Sequence, residues 1–230
     1  MSEQNSIRFV PTAAGLVLAL ACGLTGCQLW PFDAKERTTV ITPAMRVSSI
    51  REIGARGRGV GETEQANICE QLAHHIQSEP DPIVRKAIQE TIAQFKTPLS
   101  SVVIVAGLSD DASVVRMSCC RLLGDRAEAA SISQLGRVAA ADADVDVRMA
   151  AVDALGKFKS PASVQALAVA LKDRDPAMQL AGMEAMKSAS GEDLGNDVQT
   201  WRTYAARIGG AGESPVDVAT QPGAVGAAVK

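Results

Sequence analysis

An arginine recurs along this sequence at near-constant spacing, and that spacing constrains the fold more than any other feature. Arg85, Arg116 and Arg148 stand 31 and 32 residues apart, and Gln179 takes the next place 31 further on. Arg46 opens the series, 39 residues before Arg85. An apolar residue precedes each: Met45, Val84, Val115, Val147 and Met178. Seven positions after each comes Ile53, Ile92, Leu123, Leu155 or Met186. Self-similarity at such a period marks a stack of small units, each unable to bury its own apolar face alone.

One unit reads as two helices. Asp81, Asp144 and Asp175 lie four residues before the recurrent position, and Pro82 and Pro176 follow two of them. An aspartate cap followed by proline starts a helix, because proline lacks only a donor that is orphaned there anyway. Apolar residues at helical spacing form one face. Glycine eight positions after the arginine (Gly54, Gly124, Gly156) is expected to stop the helix. Thr97-Pro98 and Ser160-Pro161 repeat the start signal for a second helix. Small residues such as Ala87, Ser118, Ala150 and Ala181 allow close helix approach. An acid also recurs six before the arginine: Glu79, Asp110, Asp142 and Asp173.

The period, the acids and the Val-Arg…Leu-Gly signature resemble HEAT-like repeats of the short bacterial kind, about 30 residues each. The resemblance covers residues 43–209. It implies an all-α, right-handed α-solenoid of stacked antiparallel helix pairs, in units of about 43–78, 79–109, 110–141, 142–172 and 173–209. In that family the recurrent arginine and aspartate often pair between adjacent units. Arg46, Arg85, Arg116 and Arg148, with Asp81, Asp144 and Asp175, are therefore expected to form a structural ladder. Gln179 breaks it, which suits a terminal unit. The stretch from Gly191 to Tyr204 looks like a terminal element of HEAT-repeat proteins from planctomycete-type bacteria. It is expected to replace the last second helix, with Leu194, Val198 and Trp201 on one helical face closing the stack. Residues 210–230, rich in glycine, alanine, valine and proline, are expected to be a disordered tail.

The N-terminus reads as an address. A polar start with one cation, Arg8, leads into an apolar run from Phe9 to Leu24, whose centre, Ala13 to Ala21, is about the length of a signal-peptide core. It ends in Leu24-Thr25-Gly26-Cys27, which resembles the bacterial lipobox. The resemblance implies cleavage after residue 26 and lipid on Cys27, with residues 27–42 as a tether. Gln28 in place of aspartate implies the outer membrane, periplasmic side, if the enteric sorting rule applies. An uncleaved membrane anchor is the other reading of the same segment.

No catalytic set emerges. His74 and His75 are neighbours on one helix and point about 100° apart, so no metal is expected. Cys69, Cys119 and Cys120 read as buried small apolar residues. The Gly54–Gly61 stretch, with Arg56 and Arg58, reads as a flexible loop of the first unit. Its amides offer an anion a place, but no nucleotide-loop pattern surrounds them. A net charge of -3 and 3% aromatic content argue against nucleic acid as partner. The expectation is a non-enzymatic, membrane-tethered scaffold without cofactor. It would bind another protein in a groove lined by second helices, around 98–108, 129–140 and 162–172. A structural envelope spacer is the alternative. A bilin-lyase-like enzyme or chaperone, suggested by the repeat type alone, is a more distant one.

Overall fold

A computed structural model describes residues 41–210. The expected signal segment, the expected lipidation site Cys27 with Leu24, Thr25 and Gly26, Gln28 and residues 211–230 lie outside the described residues. Ten α-helices follow in five pairs: α1 (Pro43–Gly57) with α2 (Glu62–Ser78), α3 (Pro82–Ile92) with α4 (Pro98–Ala106), α5 (Ser113–Arg126) with α6 (Ile132–Ala141), α7 (Val145–Leu155) with α8 (Pro161–Leu167), and α9 (Pro176–Ser190) with α10 (Val198–Gly210). No strand occurs among the described residues. First helices pack on first helices, α1 on α3, α3 on α5, α5 on α7 and α7 on α9. Second helices form the other layer, α2 on α4, α6 on α8 and α8 on α10. The chain is an α-solenoid.

The starts are written in the turn residues. Thr42, Asp81, Thr97, Asp144, Ser160 and Asp175 each accept a backbone N–H from the first turn of the following helix. Proline opens α1, α3, α4, α8 and α9. Ala112 cannot cap, and α5 begins without a side-chain partner.

Of the recurrent glycines, Gly156 stands at the C-cap of α7, as expected, but Gly54 and Gly124 do not stop helices. Gly54 lies inside α1, which continues to Gly57, and Gly124 lies inside α5. None of the three has a left-handed backbone; only Gly191, Gly195 and Ala127 do among the described residues. Their role is contact. A Cβ on Gly124 would lie 2.9 Å from the Cα of Ala154, and one on Gly156 would lie 3.0 Å from the Cα of Ala185. Each therefore lets the first helix of one unit sit against the first helix of the next. Gly54 and Gly57 do the same against Thr91 and the Phe95 ring. The expected flexible loop shrinks to the few residues between Gly57 and Glu62.

Buried apolar side chains form two clusters. One runs from Val47 to Val103, the other from Ile104 to Ala205. The division falls within α4, and α4 does not pack closely on α6. The third unit is also the one with the 32-residue spacing. At the position ten after its arginine it carries Arg126, where the second and fourth units carry the buried Phe95 and Phe158. α5 runs on to Arg126 and leaves through left-handed Ala127, absorbing the extra residue.

Candidate functional site: the inter-unit ladder and the second-helix face

The recurrent arginines join successive inter-unit turns. Arg116 grips Asp142 through both carboxylate oxygens, Nε and Nη2 each at 2.8 Å. Its Nη1 donates back to the carbonyls of Asp110 and Asp111. Arg85 repeats this with Asp110, at 2.8 and 2.7 Å, and with the carbonyls of Glu79 and Pro80. Arg46 donates to Glu79 at 3.0 Å and to Ile41 O. Arg148 reaches Asp173 only at 4.0 Å. Gln179 keeps the backward bond, Nε2 to Asp173 O at 2.7 Å, and has no cation to send onward.

The pairing acid is thus the one six before the arginine, not the one four before. Asp81, Asp144 and Asp175 are not ladder partners. Each turns its carboxylate into its own helix start, onto the amides of Ile83, Asp146 and Ala177. The physical reason is local: a carboxylate four residues before the arginine is already spent as a cap. The acid at minus six also accepts the amide two residues on, as Asp142 does from Asp144 at 2.9 Å. It therefore holds its own turn closed while receiving the previous unit's arginine.

The electrostatics follow from this bonding. Hydrogen bonds from Arg116 hold the Asp142 carboxyl below the usual carboxylate range. At Asp110 burial pushes the pKa up, but the bonds from Arg85 and the Ala112 amide outweigh it, and the net direction is down. Bidentate arginine–carboxylate pairs of this kind give geometric specificity as well as energy. They fix how one helix pair is rotated on the next.

A second tie is absent from the sequence reading. Arg126 donates to Ala93 O, Phe95 O, the Ser101 hydroxyl and Glu128. It fastens the loop of the second pair to the third, where the apolar core is divided. Ser100 and Ser163 were also missed. Both are buried and donate to Phe95 O and Phe158 O, at 2.8 and 2.7 Å. The shared string Phe-Lys-Thr/Ser-Pro-x-Ser at 95–100 and 158–163 carries that signal.

Residues 101–187 match the family model described as HEAT repeats. The matched stretch spans α4 to α9, including the Arg116–Asp142 and Arg148–Asp173 steps. That stretch is similar to HEAT repeats. No curated protein matches the chain.

The last unit is a complete pair, since α10 is a second helix and does not replace one. It packs on α8 and α9. Trp201 is buried, and its indole donates to Gly195 O at 2.8 Å. Leu194 and Val198 are half-buried against the same core. The three do not share one helical face, because the helix begins only at Val198 and Leu194 sits in the loop turned by Gly191 and Gly195.

The remaining chemistry is sparse. His74 and His75 are exposed, His75 lying 3.5 Å from Glu79. Among the described residues no group of three His, Cys, Asp or Glu side chains is placed to hold a metal. Nor is any described helix long and apolar enough to cross a membrane. Cys69, Cys119 and Cys120 are free thiols in the core. Burial pushes Cys120 up to about 12 and raises Cys119 further.

The second-helix layer offers two concave features, and a larger cavity of 790 Å³ lies at the Arg126 tie, where α3 and α5 end. α4 is the most apolar helix, and its Val102 is 64% exposed. A cavity of 410 Å³ lies between α2 and α4. Another of 470 Å³ lies between α4 and α6, lined by Val105, Leu108, Arg137 and Val138 among others.

Proposed function

We propose that this chain is a non-enzymatic scaffold, tethered to a bacterial envelope membrane through lipid on Cys27, that binds a protein partner on its second-helix face. HEAT repeats typically mediate protein–protein interactions, and stacked pairs create extended surfaces of this kind. The observation that carries the reading is α4. It shows solvent an apolar ridge, Val102 and Ala106, flanked by a cavity on each side. An exposed apolar surface rimmed by polar residues marks an interaction site more often than an idle one. The tether rests on the Leu24-Thr25-Gly26-Cys27 string. Several acyl chains on one residue give stable anchoring, each buried methylene contributing roughly 0.8 kcal/mol. Gln28 supports the outer membrane as the destination.

The experiment is fractionation and affinity capture from native envelopes, with wild type beside Cys27→Ser. Wild type should sediment with membranes and bring a stoichiometric partner. Cys27→Ser should leave the membrane fraction. Membrane retention of Cys27→Ser would remove the lipid anchor, and capture of no partner by either form would remove the scaffold.

A further inference from the structure

The joint between the second and third pairs is built differently from the other three. At those, a glycine lets one first helix sit against the next. A Cβ on Gly54, Gly124 or Gly156 would lie 2.9, 2.9 or 3.0 Å from Thr91, Ala154 or Ala185. At this joint the same place in the repeat holds Ala93. Ala93 and Leu122 line the 790 Å³ cavity where α3 and α5 end. Second helices follow the same division. α2 packs on α4, α6 on α8 and α8 on α10, but α4 does not pack closely on α6, and a cavity of 470 Å³ lies between them. The buried core also divides here, Val103 belonging to one cluster and Ile104 to the other.

Polar ties hold the two ends of this joint. Near the start of α3, Arg85 grips Asp110, in the turn before α5, at 2.8 and 2.7 Å. At the end of α5, Arg126 donates to Ala93 O, Phe95 O and the Ser101 hydroxyl. Between the two ties α3 packs on α5. A body pinned at two points turns about the line through them. That line runs along the first helices, so the free side is the second-helix layer. In a stack held by nearest-neighbour interfaces, motion concentrates where packing is interrupted.

We infer that the solenoid hinges at this joint about the α3–α5 line, opening and closing the cleft between α4 and α6. Arg126 is the latch at one end of the axis, and the Arg85–Asp110 pair holds the other. α4 rests on α5, with Ile104 and Leu108 in the second cluster, and that contact limits the rotation. The cleft belongs to the second-helix face, so the hinge sets the width of that surface.

The test places pairs of nitroxides on exposed positions of the full chain. An introduced azido amino acid carries them and leaves the native cysteines unlabelled. One pair replaces Val102 and Ala162, spanning this joint and the next. The other replaces Ser133 and Thr203, spanning as many joints but not this one. Pulsed electron paramagnetic resonance reads both distance distributions. A rotation of about 10° at an interaxial distance of roughly 10 Å moves α4 by about 2 Å, and the first distribution should be wider than the second by that amount. Arg126→Gln should widen the first distribution and leave the second unchanged. Because Arg126 is half-buried, Ser101→Ala is the milder second variant; it removes only the hydroxyl and should act in the same direction. Equal widths in wild type, or no widening of the first pair alone by either variant, would overturn the hinge. The hinge needs no partner, so these distances test it apart from the scaffold reading.

Discussion

Replacing Arg116 by leucine tests the ladder where it is best formed. The change removes two bonds to the Asp142 carboxylate and two to the Asp110 and Asp111 carbonyls. It leaves Asp142, whose side chain is 7% exposed, with the amide of Asp144 but no guanidinium bonded to its carboxylate, the neighbouring Arg148 donating only to its backbone carbonyl. Breaking a buried pair in this way costs ~3–5 kcal/mol. Asp142 keeps one strong donor and is not fully dry, which places the loss at the low end. The expectation is about 3 kcal/mol, or roughly 6–12 °C in Tm for a domain of this size. Arg148→Leu is the internal comparison. Its contact to Asp173 is 4.0 Å long and both side chains are about a quarter exposed, so the loss should be about 1 kcal/mol. Urea and thermal unfolding of wild type and both variants at neutral pH read the difference. The pH dependence supplies a second check. Asp142 has a lowered pKa in the fold, so its stabilisation is complete above the ordinary carboxylate value of about 4 and is lost as pH falls through the folded-state value. The gap between wild type and Arg116→Leu should therefore be constant near neutrality and narrow in acid. Equal losses at Arg116 and Arg148, or a gap that does not narrow in acid, would refute the reasoning.

Other consequences are as direct. Gly124→Ala should cost about 1–3 kcal/mol, because its Cβ meets the Ala154 backbone, whereas Gly209→Ala, on α10, meets nothing within 4 Å and should be neutral or stabilise by about 0.4–1 kcal/mol. Differential scanning calorimetry separates the two. Leu155→Ala, at a fully buried position in the fourth pair, should cost roughly 2–5 kcal/mol in urea unfolding. Site-resolved alkylation should leave Cys69, Cys119 and Cys120 unmodified in the native chain and label all three in denaturant, since all three are buried with raised pKa values.

Much of the fold was legible because the repeat writes the same local instruction five times. Caps and prolines placed the starts of α3, α4, α8 and α9, and the apolar spacing named the core residues. What failed to show was the use of a residue with two possible roles. Glycine at plus eight fits a helix stop and a close contact equally well, and only the neighbouring helix decides between them. The two recurrent acids likewise differ by two positions. Both fit a ladder on paper, but a carboxylate at minus four is captured by its own helix start. Arg126 was illegible as a tie because it occurs once, and a repeat alignment discounts what does not repeat. The cavity between α2 and α4 is lined by three helices from two units, a relation no single stretch contains.

The central claim is that partners dock on the second-helix face. Val102 on α4 and Ile83 on α3 are both large, apolar and exposed, at 64% and 52%, but belong to opposite layers. Quantitative affinity capture from native envelopes should therefore be run with Val102→Glu and Ile83→Glu beside wild type. Loss of the partner with Val102→Glu and retention with Ile83→Glu is the predicted result; retention with Val102→Glu, or loss with Ile83→Glu alone, would contradict it.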